Sequence, residues 1–554
     1  RGLFIMRFIV DIETDAIDAK VIHCIVAKNI DTEEVLTWHG DTLRDFASWA
    51  ETVDIFIMHN GISFDAPVLN KLTGSKIKLS QVRDTLILSQ LSDPMLEGGH
   101  SLKAWGERLG FGKIEYNDFS HFNEEMLKYC IQDVQLTHKL YKHLLPKLKK
   151  FSKKSMLLEH EIRAIVNRQE QNGFTLDVKS ATILCSKLEA EASQIEKDLQ
   201  TVFPPITEER YSEKTGKRLS DKVEHFNPNS RQQISKRLIE KGWKPENLTP
   251  TGHPIVDEGT LKKIKNIPEA LQIAHYLLLQ KRVSQIKSWI DVVQEDGKVH
   301  GRVMTLKAIS GRMAHNSPNM AQVPASYSPY GKECRSVWIP TNDKYTLVGC
   351  DASSLELRCL AHYMGDKKFT KEVVDGDIHT ANQKAAGLKT RDQAKTFIYA
   401  LIYGAGAEKI GSIVGGGKNE GQKVINQFMK NMPALKALRD KVDRVAKTGF
   451  VRGLDGRLLK VRQYHASMNL LLQGAGAIIC KEWLRQITYK VQQAYDYKLV
   501  ASIHDEYQFE VRRDQAERFG EITKQAMKLT QKELSIHCPL DSEYKIGKNW
   551  YETH

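Results

Sequence analysis

Two acidic residues, Asp505 and Glu506, stand at a polar break between the two apolar runs of residues 498–511. This pattern predicts two strands joined by a turn, with both carboxylates at the tip. A third carboxylate, Asp351, ends another apolar run at residues 345–350. Carboxylates brought together repel one another unless a cation neutralises them, and their oxygens suit a hard divalent metal ion. The residues therefore indicate metal-assisted phosphoryl transfer on a polyanion.

Four residues between these carboxylates recur every four positions: Arg391, Lys395, Tyr399 and Tyr403. In a helix each step turns about 40° beyond a full circle, so they form one slowly winding stripe. Its cations suit a triphosphate, and its rings can stack on a base or pack against a sugar. Such a stripe alone is more often a solvated helix face, but the carboxylates favour a nucleotide site. The glycines within 404–406 predict the end of the helix.

A second group of carboxylates lies near the beginning of the chain. Asp11 and Glu13 are two apart at the end of a predicted strand, so their side chains point to one face. Surface acidity is the commoner explanation of such a pair. Asp65 adds to it at a predicted strand-to-helix junction, and Tyr129 and Asp133 share a helical face. The set fits a two-metal nuclease in which Tyr129 orients the attacking water.

The order and spacing of these motifs resemble two known families. The DIE at Asp11, the HNGISFD that ends at Asp65 and the YCIQD that ends at Asp133 resemble the motifs of DnaQ-type 3′→5′ exonucleases, which have an RNase H-like fold. Asp351, the RDQAKTFIYALIYGAG run and His504-Asp505-Glu506 resemble the motifs of family A, DNA polymerase I-like, DNA polymerases. The likeness covers nearly the whole chain and is strong to the small replicative polymerases of podovirus-type phages.

The resemblance implies two metal centres. At the polymerase site Asp351 and Asp505 would hold two Mg²⁺ ions, which Mn²⁺ can replace, with Ala352 beside the metal and the nucleotide. Glu506 would be an auxiliary catalytic carboxylate. At the exonuclease site the catalytic metal ligands would be Asp11, Glu13, Asp65 and Asp133. The implied activity is DNA-directed DNA synthesis with 3′→5′ proofreading, as in the replication of phage DNA.

The resemblance also assigns contacts to the substrates. The phosphates of the incoming nucleotide would be bound by His379, Arg391 and the catalytic Lys395. Glu356 with Tyr399 would exclude a ribose 2′-hydroxyl, and Tyr403 would pack near the template base. A structural cap is the alternative for Glu356, because Ser353 and Glu356 form a capping-box pattern. Primer-template DNA would be contacted by Arg312, Gln322, Asn469, Gln473 and His504, mostly in the minor groove.

Composition agrees with a partner of negative charge. The 554 residues carry a formal net charge of +13, and a basic surface neutralises phosphates, although a merely basic protein would have the same charge. The 8 cysteines are scattered, which argues against a zinc site or a disulfide framework and for a reducing compartment. No apolar run approaches the length of a membrane span. We therefore expect a cytoplasmic protein, in the host cytoplasm if a phage encodes it.

The elements that position these residues predict an α/β, multidomain chain. Alternating strands and helices up to residue 150, among them strands at 8–11, 21–27, 34–38 and 54–58, predict an exonuclease domain over residues 1–152. The lysine-rich run 141–154 marks the boundary, although a solvated helix end explains the lysines equally well. Residues 153–554 would form a right-hand polymerase domain. Its parts are a thumb over 155–295, a palm over 296–375 and 450–554, and fingers over 376–449.

One segment departs from the family. Residues 155–200 and 230–291 have helical patterns, with a turn at Asn172-Gly173, but residues 201–229 are polar and predict a loop. In well-studied phage relatives a longer insertion there recruits host thioredoxin, so thioredoxin is not expected as a partner. The expected partners are primer-template DNA and dNTPs. A replicative helicase-primase and a single-strand-binding protein are further candidates.

Three other interpretations are weaker. A nuclease whose polymerase half only binds DNA is disfavoured by the intact Asp351, Lys395 and Asp505. A basic nucleic-acid-binding protein with degenerate sites is disfavoured because the metal-type carboxylates all stand in motif context. A template-copying RNA polymerase is disfavoured by Glu356 and by the exonuclease motifs.

Overall fold

The computed structural model describes residues 5–112, 115–491 and 494–554. Its strands are β1 (Arg7–Thr14), β2 (Ile22–Asn29), β3 (Val35–His39), β4 (Ile55–Met58), β5 (Val82–Asp84), β6 (Phe174–Leu176), β7 (Ile206–Tyr211), β8 (Arg218–Glu224), β9 (Lys298–Val299), β10 (Arg302–Met304), β11 (Ala314–Asn316), β12 (Trp338–Ile339), β13 (Tyr345–Ala352), β14 (Phe450–Arg452), β15 (Leu458–Lys460), β16 (Tyr497–Ile503), β17 (Glu506–Arg512) and β18 (Ser542–Gly547).

The α-helices of the described residues alternate with these strands in the first part of the chain and dominate its middle. They are α1 (Phe46–Ala50), α2 (Asp65–Thr73), α3 (Thr85–Ser92), α4 (Leu102–Arg108), α5 (Glu124–Leu148), α6 (Lys153–Asn172), α7 (Val178–Val202), α8 (Arg231–Glu240), α9 (Glu258–Lys263), α10 (Pro268–Ile290), α11 (Gly331–Ser336), α12 (Leu355–Met364), α13 (Lys367–Val374), α14 (Ile378–Ala386), α15 (Arg391–Ile402), α16 (Ala407–Ile413), α17 (Lys418–Asn431), α18 (Pro433–Ala446), α19 (Ser467–Val491) and α20 (Ala516–Glu533).

The N-terminal sheet has the strand order β3-β2-β1-β4-β5. β1 pairs antiparallel with β2 and parallel with β4, and α5 packs on both β1 and β2. The four strands predicted for this part are confirmed; β1 and β2 are longer than predicted, β3 has the predicted length and β4 is one residue shorter. Their apolar residues lie in two cores on the two faces of the sheet, because side chains alternate between faces.

The central sheet has the order β16-β17-β13-β18. β13 is paired on both edges, with β17 and β18, and its residues Leu347 and Val348 are completely buried. Helices α19 and α20 pack against each other, and α20 also contacts β13, β17 and β18. Residues of this sheet and its helices belong to one large hydrophobic core of the described residues.

The helical region after α5 is confirmed with one correction. α6 ends at Asn172, and Gly173 with φ +63° makes the predicted turn into β6. Residues 201–229, predicted as a loop, contain the hairpin of β7 and β8, whose residues are nearly all exposed. The prediction was wrong because a strand exposed on both faces has no apolar alternation to reveal it.

The predicted boundary segment 141–154 is not an irregular linker. α5 continues through Pro146 to Leu148, and α6 begins only five residues later at Lys153. The two parts also touch further along, since the Asn167 side chain on α6 donates to the Ile62 carbonyl at 3.2 Å. The lysines therefore lie on helix ends, as the simpler interpretation had it. The residue limits of the domains remain predictions.

Within the described ranges, no helix combines the length and the apolar character needed to cross a membrane.

Candidate active sites

The central sheet brings together the first group of carboxylates. Asp351, near the end of β13, is directly opposite Glu506, the first residue of β17. Asp505 lies in the turn between β16 and β17, as predicted, and its carbonyl accepts a hydrogen bond from the Ala352 N–H at 3.1 Å. His504 has φ +56°, a left-handed conformation that tightens this turn. The backbone thus fixes the carboxylates before any ligand binds.

The electrostatics of this group show mutual repulsion. Burial, together with the negative charges of Asp505 and Glu506, raises the pKa of Asp351 to about 7. The pKa of Asp505 is also raised, first by burial and then by the charge of Glu356. Carboxylates that share one site resist ionising together, and a divalent cation removes that conflict. The donor set of Asp351 and Asp505 fits a hard cation such as Mg²⁺.

Glu506 differs from its neighbours because it is buried and already surrounded by donors. Burial alone would raise the pKa of its carboxyl, but hydrogen bonding and the charges around it lower that pKa. Four side chains contact the carboxylate: Arg335, Gln508, Trp550 and His554. The sequence analysis gave no role in the site to these residues, which are brought to Glu506 by strand pairing and by the C-terminal segment.

The capping box at Ser353 and Glu356, which was the alternative explanation of Glu356, does not form. Ser354 caps α12 instead, in the left-handed conformation and without a side-chain hydrogen bond. The Glu356 carboxylate turns toward the site, where it contacts Arg312 Nη2 at 3.3 Å and accepts from the Tyr403 hydroxyl at 3.2 Å. Tertiary contacts therefore outweigh the local capping pattern. Burial and the Glu356 charge raise the pKa of Tyr403 to about 12.

The predicted stripe lies on α15, which ends at Ile402 with Tyr403 as its C-cap. The rings of Tyr399 and Tyr403 stack with centroids 6.5 Å apart, and the ring of His379 lies 6.2 Å from Tyr399. Arg391 donates to Asp377 at 2.8 Å, whereas Lys395 is exposed. Burial and the charges of Arg391 and Lys395 lower the pKa of His379. The predicted phosphate contacts thus stand close together, with Asp377 as a partner that the sequence analysis missed.

The residues predicted to contact DNA come from separate elements of the fold. Arg312 reaches the site through Glu356. Asn469 and Gln473 are one helical turn apart on α19, and Gln322 ends the short 3-10 helix Met320–Gln322. The carbonyl of Gln322 accepts a hydrogen bond from the Gln285 side chain of α10 at 2.9 Å. The structure gives these three residues no direct contact with the carboxylates, and their roles remain predictions.

The N-terminal sheet brings together the second group. Asp11 and Glu13 lie on β1, Asp65 begins α2 and Asp133 lies on α5, which crosses β1. Burial raises the pKa of Glu13 to about 10, and the charges of Asp11, Cys24, Asp133 and Asp65 contribute. Burial also raises the pKa of Asp65. All four predicted carboxylates are therefore near enough to repel one another, as ligands of a shared cation would be.

Two neighbours complete this second site. Ligand atoms of Asp11, Glu13 and Cys130 all lie within 4.8 Å of one another, so the thiol stands among the carboxylates. Cys130 was not predicted at this site, because the scattered spacing of the cysteines gives no sign of a metal-binding group. Tyr129 packs against the ring of Tyr116 at 5.6 Å and lines a surface groove of about 820 Å³.

Paired carboxylates on a central sheet, facing a cationic and aromatic helix, define a template-dependent nucleotidyltransferase. Residues 204–552 match the family model described as DNA polymerase family A. The chain belongs to DNA polymerase family A, and its enzyme class, a DNA-directed DNA polymerase, is confirmed.

Two similar proteins extend over almost all of the chain. It is 33% identical to the DNA-directed DNA polymerase of Enterobacteria phage T3 and 32% identical to that of Escherichia phage T7. Each alignment covers 98% of this chain and 99% of the relative. Each also runs over 705 residues, at least 151 more than the 554 residues of this chain, so internal segments of the relatives have no counterpart here.

A solved structure has the same fold at low sequence identity. The polymerase domain from M. smegmatis, described in complex with DNA primer-template and dNTP, has a TM-score of 0.80 and 16% identity. The match covers 98% of this chain and 95% of that one. The predicted α/β polymerase fold is thereby confirmed.

Proposed function

We propose that this polymerase replicates phage-type DNA at the Asp351–Asp505 site and corrects its errors at the Asp11–Asp133 site. The assignment of DNA synthesis rests on one observation: backbone pairing at the end of the central sheet brings Asp351 and Asp505 close together. Family A polymerases use divalent metal ions, and we propose Mg²⁺, or Mn²⁺ in its place, with Asp351, Asp505 and Ala352 around it. Bound there, the cations supply charge neutralisation at the primer hydroxyl and the leaving pyrophosphate.

The side chains of α15 would receive the nucleotide. Arg391 is paired with Asp377, so the triphosphate would replace the Asp377 carboxylate as the partner of the guanidinium. Lys395 is exposed and would bind phosphate directly. His379, whose lowered pKa favours the neutral ring, would donate a hydrogen bond without adding charge. These contacts would orient the α-phosphate toward the primer end near His504.

Discrimination against ribonucleotides would rest on Glu356. Its carboxylate is fixed by Arg312 and the Tyr403 hydroxyl, and the Tyr399 ring stacks beside Tyr403. A ribose 2′-hydroxyl placed against this group would clash with side chains that are fixed by these contacts. Tyr403 would pack near the template base, and Arg312, Gln322, Asn469 and Gln473 would contact the primer-template.

Proofreading is supported by the second carboxylate group. A mismatched primer end frays more readily, and its single strand would be cleaved at Asp11, Glu13, Asp65 and Asp133. Two Mg²⁺ ions suit these oxygen ligands, and Tyr129 would orient the attacking water. Replication would place the enzyme in the host cytoplasm, with a helicase-primase and a single-strand-binding protein as candidate partners.

Primer extension with single alanine variants tests both halves. Asp505→Ala is expected to lower nucleotide incorporation at least about 1,000-fold, because it removes a metal ligand needed for phosphoryl transfer. Asp133→Ala is expected to leave incorporation intact and to abolish removal of a mismatched 3′ nucleotide. Each variant thus serves as the folding control for the other. Synthesis retained by Asp505→Ala, or mismatch removal retained by Asp133→Ala, would refute the corresponding assignment.

A further inference from the structure

The buried carboxylate of Glu506 lies beside the polymerase site yet is fully engaged by protein groups. Its side chain is 6% exposed. Oε1 accepts from Trp550 Nε1 at 2.5 Å and from Gln508 Nε2 at 2.7 Å, while Oε2 lies 2.8 Å from His554 Nδ1. Arg335 Nη1 adds a positive charge 3.6 Å from Oε2. A buried carboxylate is tolerated only when it is compensated in this way.

A close backbone approach builds part of this cage. The segment after β18 turns back over β13, and a Cβ at Gly349 would stand 2.3 Å from the Thr553 carbonyl. Only glycine therefore lets the segment lie on the strand. Thr553 also donates to the Gln508 side chain at 2.7 Å. The segment thereby brings Trp550 and His554 against Glu506, two positions from Gln508 on β17.

Arg335 is the cation of the cage and is itself held firmly. It lies on α11 and is 5% exposed. Its Nε donates to the Pro324 carbonyl at 2.9 Å, and its guanidinium lies 4.5 Å from the centre of the Trp550 ring. These contacts aim one edge of the guanidinium at Glu506. The same guanidinium does not contact the carboxylates of Asp351 or Asp505 in any ion pair of the described residues.

The cage acts on the site through strand pairing. Glu506 is the register partner of Asp351, and its backbone follows Asp505 directly. An uncompensated charge on Glu506 would either pull its side chain toward solvent or add a third negative charge beside the other two carboxylates. Either response would change the spacing of Asp351 and Asp505.

We propose that Arg335, supported by Trp550 and His554, is a positioning residue of the polymerase: it neutralises Glu506 and so keeps Asp351 and Asp505 in place for nucleotidyl transfer. The proposal rests on the assignment of Asp351 and Asp505 under the proposed function. Arg335 itself touches no reacting atom. Its contribution depends on the charge of Glu506, and that dependence makes it testable.

A double-mutant cycle between Arg335 and Glu506 tests the proposal. Arg335→Met keeps the length of the side chain and removes its charge; it is expected to lower kcat for single-nucleotide incorporation about 10- to 100-fold, with the KM for dNTP changed less than about 3-fold. Glu506→Gln is expected to lower kcat less than about 10-fold. The double variant is expected to return to within about 3-fold of Glu506→Gln, because the charge needing compensation is gone.

Arg358 supplies a matched control. It is another buried arginine of the same part of the fold, bound to the Ser353 and Pro539 carbonyls, and its contacts do not include Glu506. Arg358→Met is expected to gain nothing from added Glu506→Gln, and thermal unfolding of each variant reports any general loss of stability. Losses that simply multiply in the Arg335→Met/Glu506→Gln enzyme would overturn the proposal. So would a Glu506→Gln enzyme as inactive as Asp505→Ala, while an active Asp505→Ala enzyme would instead refute the proposed site.

Discussion

At the scale of single residues, backbone pairing holds carboxylates close together despite their mutual repulsion. Asp351 and Asp505 remain near each other although burial and repulsion disfavour their charged forms. Glu506 avoids the same conflict because Arg335 and His554 offset its charge. Asp351 and Asp505 thus fit a cation, whereas the charge of Glu506 is already compensated by protein groups.

The raised pKa of Asp351 predicts a pH effect on the metal-free protein. Because its pKa is about 7 in the folded chain and lower in the unfolded one, the folded state binds more protons at intermediate pH. Its contribution to stability is therefore present at low pH and is lost as the pH rises through about 7. In EDTA we compare the melting temperature of Asp351→Asn with that of the unmodified protein. This difference is expected to increase by about 2–4 °C in favour of the variant when the pH is raised from 5 to 8.

Thermal unfolding at the two pH values measures this difference. Added Mg²⁺ serves as the control, since cation binding to the charged carboxylates should stabilise the unmodified protein at pH 8 more than the Asp351→Asn variant. An equal melting-temperature difference at both pH values in EDTA would contradict the raised pKa.

At the scale of elements, a buried network of charges joins three separate parts of the chain. Glu159 on α6 is fully buried and accepts from Lys481 Nζ on α19 at 2.7 and 2.8 Å. Arg457, just before β15, lies 2.6 Å from the same carboxylate and is also bound by Asp455. The network fixes α6 against α19, the long helix that packs behind the central sheet.

Glu159→Gln tests how much this network contributes. Removing the charge leaves two buried cations with one carboxylate fewer, so the free energy of unfolding should fall by about 3–5 kcal/mol. Chemical denaturation measures the loss. The exposed pair of Glu258 and Lys262 on α9 is the control, for which Glu258→Gln should cost no more than about 0.5 kcal/mol. Equal losses in both variants would show that burial of the network adds nothing.

Local patterns predicted the elements that carry chemistry, and tertiary contacts decided the rest. The strand-turn-strand around Asp505 and the helix bearing Arg391 follow from apolar runs and a four-residue repeat, which are visible along the chain. The cage of Glu506 is not, because Arg335 and Trp550 are far from it in sequence. A structural cap stayed open as the alternative for Glu356 because the local pattern is common, while its contact with Arg312 depends on the folded chain.

At the scale of the whole molecule, the chain lacks internal segments that its phage relatives have. The hairpin of β7 and β8 lies in the segment 201–229, which was predicted to be a short loop. Its residues are nearly all exposed and contribute almost nothing to a core. Within the hairpin, Arg218 pairs with both Glu209 and Asp221.

We expect the processivity of the enzyme to depend on its overall positive charge and not on thioredoxin. With +13 net charge, contacts to DNA phosphates release counterions, so product length per binding event should fall steeply as salt rises from 50 to 200 mM. Thioredoxin added to primer extension on a long single strand, with trap DNA present, should change product length less than about 2-fold, if residues 201–229 are too short to bind it, as the sequence predicts. A phage relative that carries the longer insertion is the positive control. Markedly longer products with thioredoxin would show that the hairpin, despite its size, is a binding site for it.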